Sequence, residues 1–74
     1  MQVHTTENIE IVLNGDIRRV PAGLNVLELL AEVGADPARV AVELNRTIVR
    51  KPDWAGTKVG PGAQIEVVQF VGGG

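Results

Sequence analysis

The chain has 74 residues, 45% of them hydrophobic and 22% charged, and a formal net charge of −2 from seven basic and nine acidic residues. That length holds one small domain, and the charged share fits a folded chain rather than a disordered one. With no Cys there is no disulfide framework, no thiolate nucleophile and no Cys-based metal site, and so small a domain without disulfides suits a reducing cytoplasm.

Residues 1–8 read as a polar lead-in containing the only His, His4, which fits a solvated surface residue better than a base or metal ligand. Ile9-Glu-Ile-Val-Leu13 alternates, which puts Ile9, Ile11 and Leu13 on one face of a strand. Asn14-Gly15 follows, a dipeptide that tolerates the positive φ angles of a type I′ turn. Asp16-Ile-Arg-Arg-Val20 is the return strand. Ile17 and Val20 fall on opposite faces of it, which predicts a bulge or an early end. Pro21-Ala-Gly23 closes the hairpin.

Asn25 is suited to cap a helix, with Glu28 three residues on completing a capping box. Val26, Leu29, Leu30 and Val33 then form one apolar stripe, and Gly34 is placed to end the helix at C′. Such a short helix draws its stability from laying that stripe on a sheet. Asp36-Pro37 opens a connection. Val40-Ala-Val-Glu-Leu44 is the next strand, with Val40, Val42 and Leu44 on one face. Asn45-Arg46 reads as a turn and Thr47-Ile-Val49 as a short strand. Residues 50–63 read as loop, with one 3₁₀ turn near Asp53-Trp54. Trp54 is placed as a lid on the core, and Arg18-Arg19 and Arg50-Lys51 as solvated charges. Gln64 to Val71 is the last strand. Ile65 and Val67 face the core, while Val68 and Phe70 share the side that the helix does not cover. Two adjacent exposed apolar residues suggest partner docking. A bulge after Val67 that turns Phe70 inward is the competing expectation.

No apolar stretch approaches the ~20 residues of a membrane span, and the first residues lack the pattern of a signal peptide. Neither a basic excess nor interleaved aromatics point to nucleic acid. Catalytic constellations fail on inventory. Ser and Cys are absent, hydroxyls come only from Thr5, Thr6, Thr47 and Thr57, and the carboxylates are scattered. No metal site, GxGxxG or Walker loop is present. The domain therefore reads as a protein that is not itself an enzyme. Val71-Gly-Gly-Gly74 is either a frayed end or the working part. The α-carboxylate of Gly74, ionised at neutral pH, can act as an oxygen nucleophile on the α-phosphate of ATP. A partner must then supply nucleotide, Mg²⁺ and orientation. Gly72 and Gly73, without Cβ atoms, suit a narrow channel into that partner's active site.

Hairpin, helix, strand, short strand, loop and a last strand into Gly-Gly is similar to the ubiquitin-like β-grasp. Leu13-Asn-Gly15, Pro21-Ala-Gly-Leu-Asn-Val-Leu-Glu-Leu-Leu30, Val40-Ala-Val-Glu-Leu-Asn45, Ile48-Val-Arg-Lys51, Trp54 and Ile65–Gly74 together resemble the ThiS-type sulfur carriers of thiamine biosynthesis. The resemblance implies an α+β fold with a mixed sheet of four to five strands and one main helix across one face. It also implies a β-grasp domain over 1–71 and a flexible glycine tail over 72–74. By the same resemblance Gly74 is adenylated by a ubiquitin-activating-like (ThiF-type) enzyme and becomes a thiocarboxylate with sulfur from a cysteine-desulfurase persulfide. It then donates that sulfur to a ThiG-type thiazole synthase. Val68 and Phe70 would then dock on the partner. ATP and Mg belong to the activating enzyme, and the carrier itself binds no cofactor. Two departures stand out: Pro61-Gly-Ala63 replaces an acidic turn common in the family, and Arg50-Lys51 occupies places where many members have Pro before a basic residue. They leave open a carrier for another client (molybdopterin, tRNA thiolation or cysteine synthesis), besides a plain interaction module or a protein conjugated to lysines.

Overall fold

The computed structural model describes residues 7–70. In chain order these form β1 (Asn8–Leu13), β2 (Asp16–Pro21), α1 (Val26–Glu32), a 3₁₀ turn (Pro37–Arg39), β3 (Val40–Leu44), β4 (Thr47–Val49), a second 3₁₀ segment (Lys51–Gly56) and β5 (Gln64–Gln69). The strands make one five-stranded sheet in the order β2-β1-β5-β3-β4. β5, the last strand in sequence, lies at its centre, parallel to β1 and antiparallel to β3. This is the mixed β-grasp sheet with one main helix.

The hairpin β1–β2 pairs without interruption from Asn8 opposite Pro21 to Leu13 opposite Asp16. The bulge or early end expected in β2 is therefore absent. Regular alternation sends Val20 into the core at 2% exposure and leaves Ile17 on the outer face, opposite Val12. An outer row beside solvent needs no buried partner, so an exposed Ile there is tolerated. Asn14 takes φ +50° and Gly15 φ +86°, the left-handed pair that a type I′ turn requires.

Local chemistry sets both ends of α1. The Asn25 side chain accepts a hydrogen bond from Glu28 N–H at 2.7 Å, and the Glu28 carboxylate accepts from Asn25 N–H at 2.9 Å. At the other end Gly34 has φ +77°, Gly34 N–H donates to Ala31 C=O, and Ala35 N–H donates to Leu30 C=O. That pair of bonds is a Schellman motif, and it uses carbonyls that the helix itself leaves free. Between these caps Val26, Leu29 and Leu30 are buried against Ile11, Val20, Val42 and Ile65 of the sheet.

Trp54 is the lid expected of it. It is 2% exposed, and its indole N–H donates to Val49 C=O at 2.8 Å, so the ring is buried while its polar atom stays satisfied. The segment after it is pinned to the start of α1 by Val26 N–H to Thr57 C=O and Val59 N–H to Leu24 C=O. Among the described residues no polar or charged side chain is buried, and no helix is long and apolar enough to cross a membrane.

Candidate functional site

β5 delivers the chain toward Gly74, and both turns of the sheet hold it. Its even-numbered residues bond toward β3. Asn45 N–H donates to Gln64 C=O and Phe70 N–H to Arg39 C=O, both at 2.7 Å. Its odd-numbered residues bond toward β1, where Asn14 N–H donates to Ile65 C=O at 2.8 Å. Two asparagine side chains extend this pairing. The Asn14 carboxamide accepts from Val67 N–H at 2.8 Å and donates to Val67 C=O at 3.3 Å, so it acts as one more peptide group of β1. The Asn45 carboxamide accepts from Gln64 N–H at 2.9 Å. Asn45 and Arg46 both have positive φ, +50° and +69°. The second β-hairpin thus turns on the same left-handed pair as the first, with Arg where Gly is usual.

The pairing of β5 with β3 runs in register from Leu44 opposite Ile65 to Val40 opposite Gln69, so no bulge follows Val67. Val68 and Phe70 consequently stay on the outer face, 58% and 57% exposed. Ala41 lies opposite Val68 and Glu43 opposite both Glu66 and Ile48. Ile48 is 72% exposed. Together with Ala41, Ile48 and Val68 line a shallow hollow of about 240 Å³ whose polar members are Glu43 and Glu66. The face is an apolar strip crossed by one pair of carboxylates in direct register. Like charges placed so destabilise a sheet slightly unless something neutralises them, and neither carboxylate has an ion-pair partner among the described residues.

Sequence reasoning found Val68 and Phe70 on this face but missed Ile48. The signal was present, because Val49 turned inward obliges Ile48 to turn outward. The contribution of Glu43 and Glu66 needed the register. Arg18, Arg19, Arg50 and Lys51 are all exposed, and Lys51 lies 5.6 Å from the Trp54 ring centre. His4 and the tail residues Gly72, Gly73 and Gly74 lie outside the described residues. Among those described, no group of three His, Cys, Asp or Glu side chains could hold a metal ion. A concavity of about 540 Å³ lies around Gln64 at the far end of the face, between Gly15 and Arg46. It is roughly 20 Å from Phe70 at about 3.3 Å per strand residue.

The family model described as "ThiS family" matches residues 9–74. The sulfur carrier protein ThiS of Escherichia coli is 33% identical over 66 residues, covering 89% of this chain and all of that protein. A thiazole synthase of Paramagnetospirillum magneticum is 42% identical over 66 residues and one of Magnetococcus marinus 38%. The chain spans about a fifth of the length of these two synthases. The crystal structure of the thiamine biosynthesis protein ThiS from Geobacter metallireducens superposes with a TM-score of 0.78 at 33% identity, covering 89% of this chain and all of that one.

Proposed function

The chain belongs to the ThiS family, and we propose on that premise that it is a sulfur carrier of thiamine biosynthesis whose reactive group is the α-carboxylate of Gly74. The family match supports this most directly, because it continues past β5 to Gly74 and so includes the glycine tail. In this reading a ThiF-type partner binds ATP and Mg²⁺ and orients the tail. A carboxylate oxygen of Gly74 attacks the α-phosphate, pyrophosphate leaves, and an acyl adenylate forms. The outer sulfur of a persulfide on a partner protein then displaces AMP to give an acyl disulfide. A thiol of that partner cleaves its S–S bond, leaving a disulfide on the partner and the thiocarboxylate on Gly74. In this reading the carrier contributes position and its partners the catalysis, and Gly72 and Gly73 give the tail a slim profile.

The client that fits best is a thiazole synthase of ThiG type. Two thiazole synthases contain a segment similar to 89% of this chain, which favours that client over molybdopterin or tRNA thiolation. Val68, Phe70 and Ile48 form the docking face, and its proximity to the end of β5 brings a partner held there close to the tail.

Intact mass of the protein after incubation with ATP, Mg²⁺, a ThiF-type enzyme and a persulfide donor tests the reading. One oxygen of Gly74 is replaced by sulfur, and the modified carrier supports thiazole formation by the synthase. An unchanged mass with an enzyme that adenylates the E. coli carrier refutes it.

A further inference from the structure

The backbone of β5 is used on both sides as far as Val67 and on one side only beyond it. Toward β3 the ladder reaches Phe70, whose N–H is bonded to Arg39. Toward β1 it passes from Ile65 to Val67, where the Asn14 carboxamide takes the last register, and β1 turns away at Asn14-Gly15. The next residue facing that side is Gln69. Among the described residues nothing bonds its backbone N–H or C=O. Strand edges left open in this way recruit another strand.

A groove of about 370 Å³ runs beside this open edge. Leu13, Ala35, Val40 and Val67 supply its apolar wall, and Arg18 and Asp36 stand at it with opposite charges. The other side of β5 is closed to extension. Arg39 is the last residue of the 3₁₀ turn that starts at Pro37, which has no N–H to donate.

We propose that the partner which adenylates the tail adds an extended strand to the sheet at Gln69, on the side vacated by β1, and seats one apolar side chain in the groove. This rests on the carrier reading above. A strand fits better than a helix or a small ligand because one residue offers a donor and an acceptor spaced for a ladder, beside a groove of mixed lining whose apolar wall of Leu13, Ala35, Val40 and Val67 can take the inward side chain. Opposite charges at the groove leave recognition to main-chain bonds and apolar contact. The tail supplies the reason. Gly72–Gly74 offer no side chains to grip, so their register in the partner has to be set by residues before them. From Gln69 to Gly74 is five residues, about 17 Å of extended chain, and a slip of one residue displaces the reacting carboxylate by about 3.3 Å.

Gln69→Pro deletes the free donor without touching the ladder to β3, since that N–H is not part of it. The Kd for a ThiF-type enzyme, measured calorimetrically, rises at least tenfold while the melting temperature of the free carrier stays within a few degrees. Ala35→Lys, which fills the groove from beyond α1, raises Kd likewise. In the wild-type carrier the Gln69 amide exchanges with deuterium at least tenfold more slowly once the enzyme is bound, a measurement that needs no variant to fold. Wild-type affinity in a folded Gln69→Pro, or a bound carrier that is adenylated while its Gln69 amide stays unprotected, overturns the strand addition alone. A wild-type carrier that the enzyme neither binds nor adenylates overturns the carrier reading and this inference with it.

Discussion

Replacing Asn14 separates two things that one residue does. Its carboxamide makes two bonds to Val67, and its backbone holds φ +50°. A typical hydrogen bond contributes about 0.5–1.5 kcal/mol net, and the 3.3 Å contact sits at the low end. Removing both therefore costs about 1–2 kcal/mol. A left-handed residue other than Gly or Asn adds about 1–2 kcal/mol of steric cost. Asn14→Ala suffers both penalties and should lose about 2–4 kcal/mol. Asn14→Gly suffers only the first, plus about 0.4–1 kcal/mol for the greater freedom of Gly in the unfolded chain, and should lose about 1.5–3 kcal/mol. In a domain of this size each kcal/mol moves the melting temperature by roughly 4–8 °C. Urea denaturation of both variants with equal m-values gives the two losses, and amide exchange at Val67 locates them. If Asn14→Gly is as stable as the parent and the Val67 amide keeps its protection, the carboxamide is not a strand substitute.

The same logic gives further tests. Arg46 occupies φ +69° in an exposed turn, so Arg46→Gly should raise stability by about 0.5–1 kcal/mol in urea melts. A loss would mean that the Arg46 side chain stabilises the turn by more than its backbone costs. Trp54→Phe leaves Val49 C=O without its 2.8 Å donor and shrinks a buried ring; a loss of about 2–3 kcal/mol by calorimetry is expected. Glu43→Lys turns the registered carboxylate pair with Glu66 into an opposite-charge pair. It should stabilise the free domain by about 0.2–1 kcal/mol at low salt, and the gain should fade as salt rises. Val68→Asp together with Phe70→Asp removes apolar surface that is already exposed. The melting temperature should hardly move, whereas thiocarboxylate formation at limiting enzyme should drop at least tenfold.

Much of the fold was legible because the signals were local. Asn25, Glu28 and Gly34 mark the ends of α1 through bonds spanning three to five residues, and Asn14-Gly15 marks its turn by φ preference alone. Val40–Leu44 and Thr47–Val49 follow from period-two alternation. Ile17 was misread because the pattern was asked to bury every apolar residue, whereas the outer row of this sheet is left to solvent. Val68 and Phe70 were placed on the outer face by counting along the strand, yet whether a bulge turned Phe70 inward depended on the unbroken register with β3.

The sequence by itself determined the element order, the composition of the core, the lack of thiol and serine nucleophiles, and the glycine run at its end. Those are properties of single residues and of neighbours a few positions apart. Only the tertiary structure decided that β5 lies between β1 and β3, that Asn14 reaches Val67 from 53 positions away, and that Glu43 stands opposite Glu66. It also decided that the edge at Gln69 is left open. The reason is physical: a strand's backbone groups point sideways in the same alternation whatever its neighbours are, and only the completed sheet says which of them are taken.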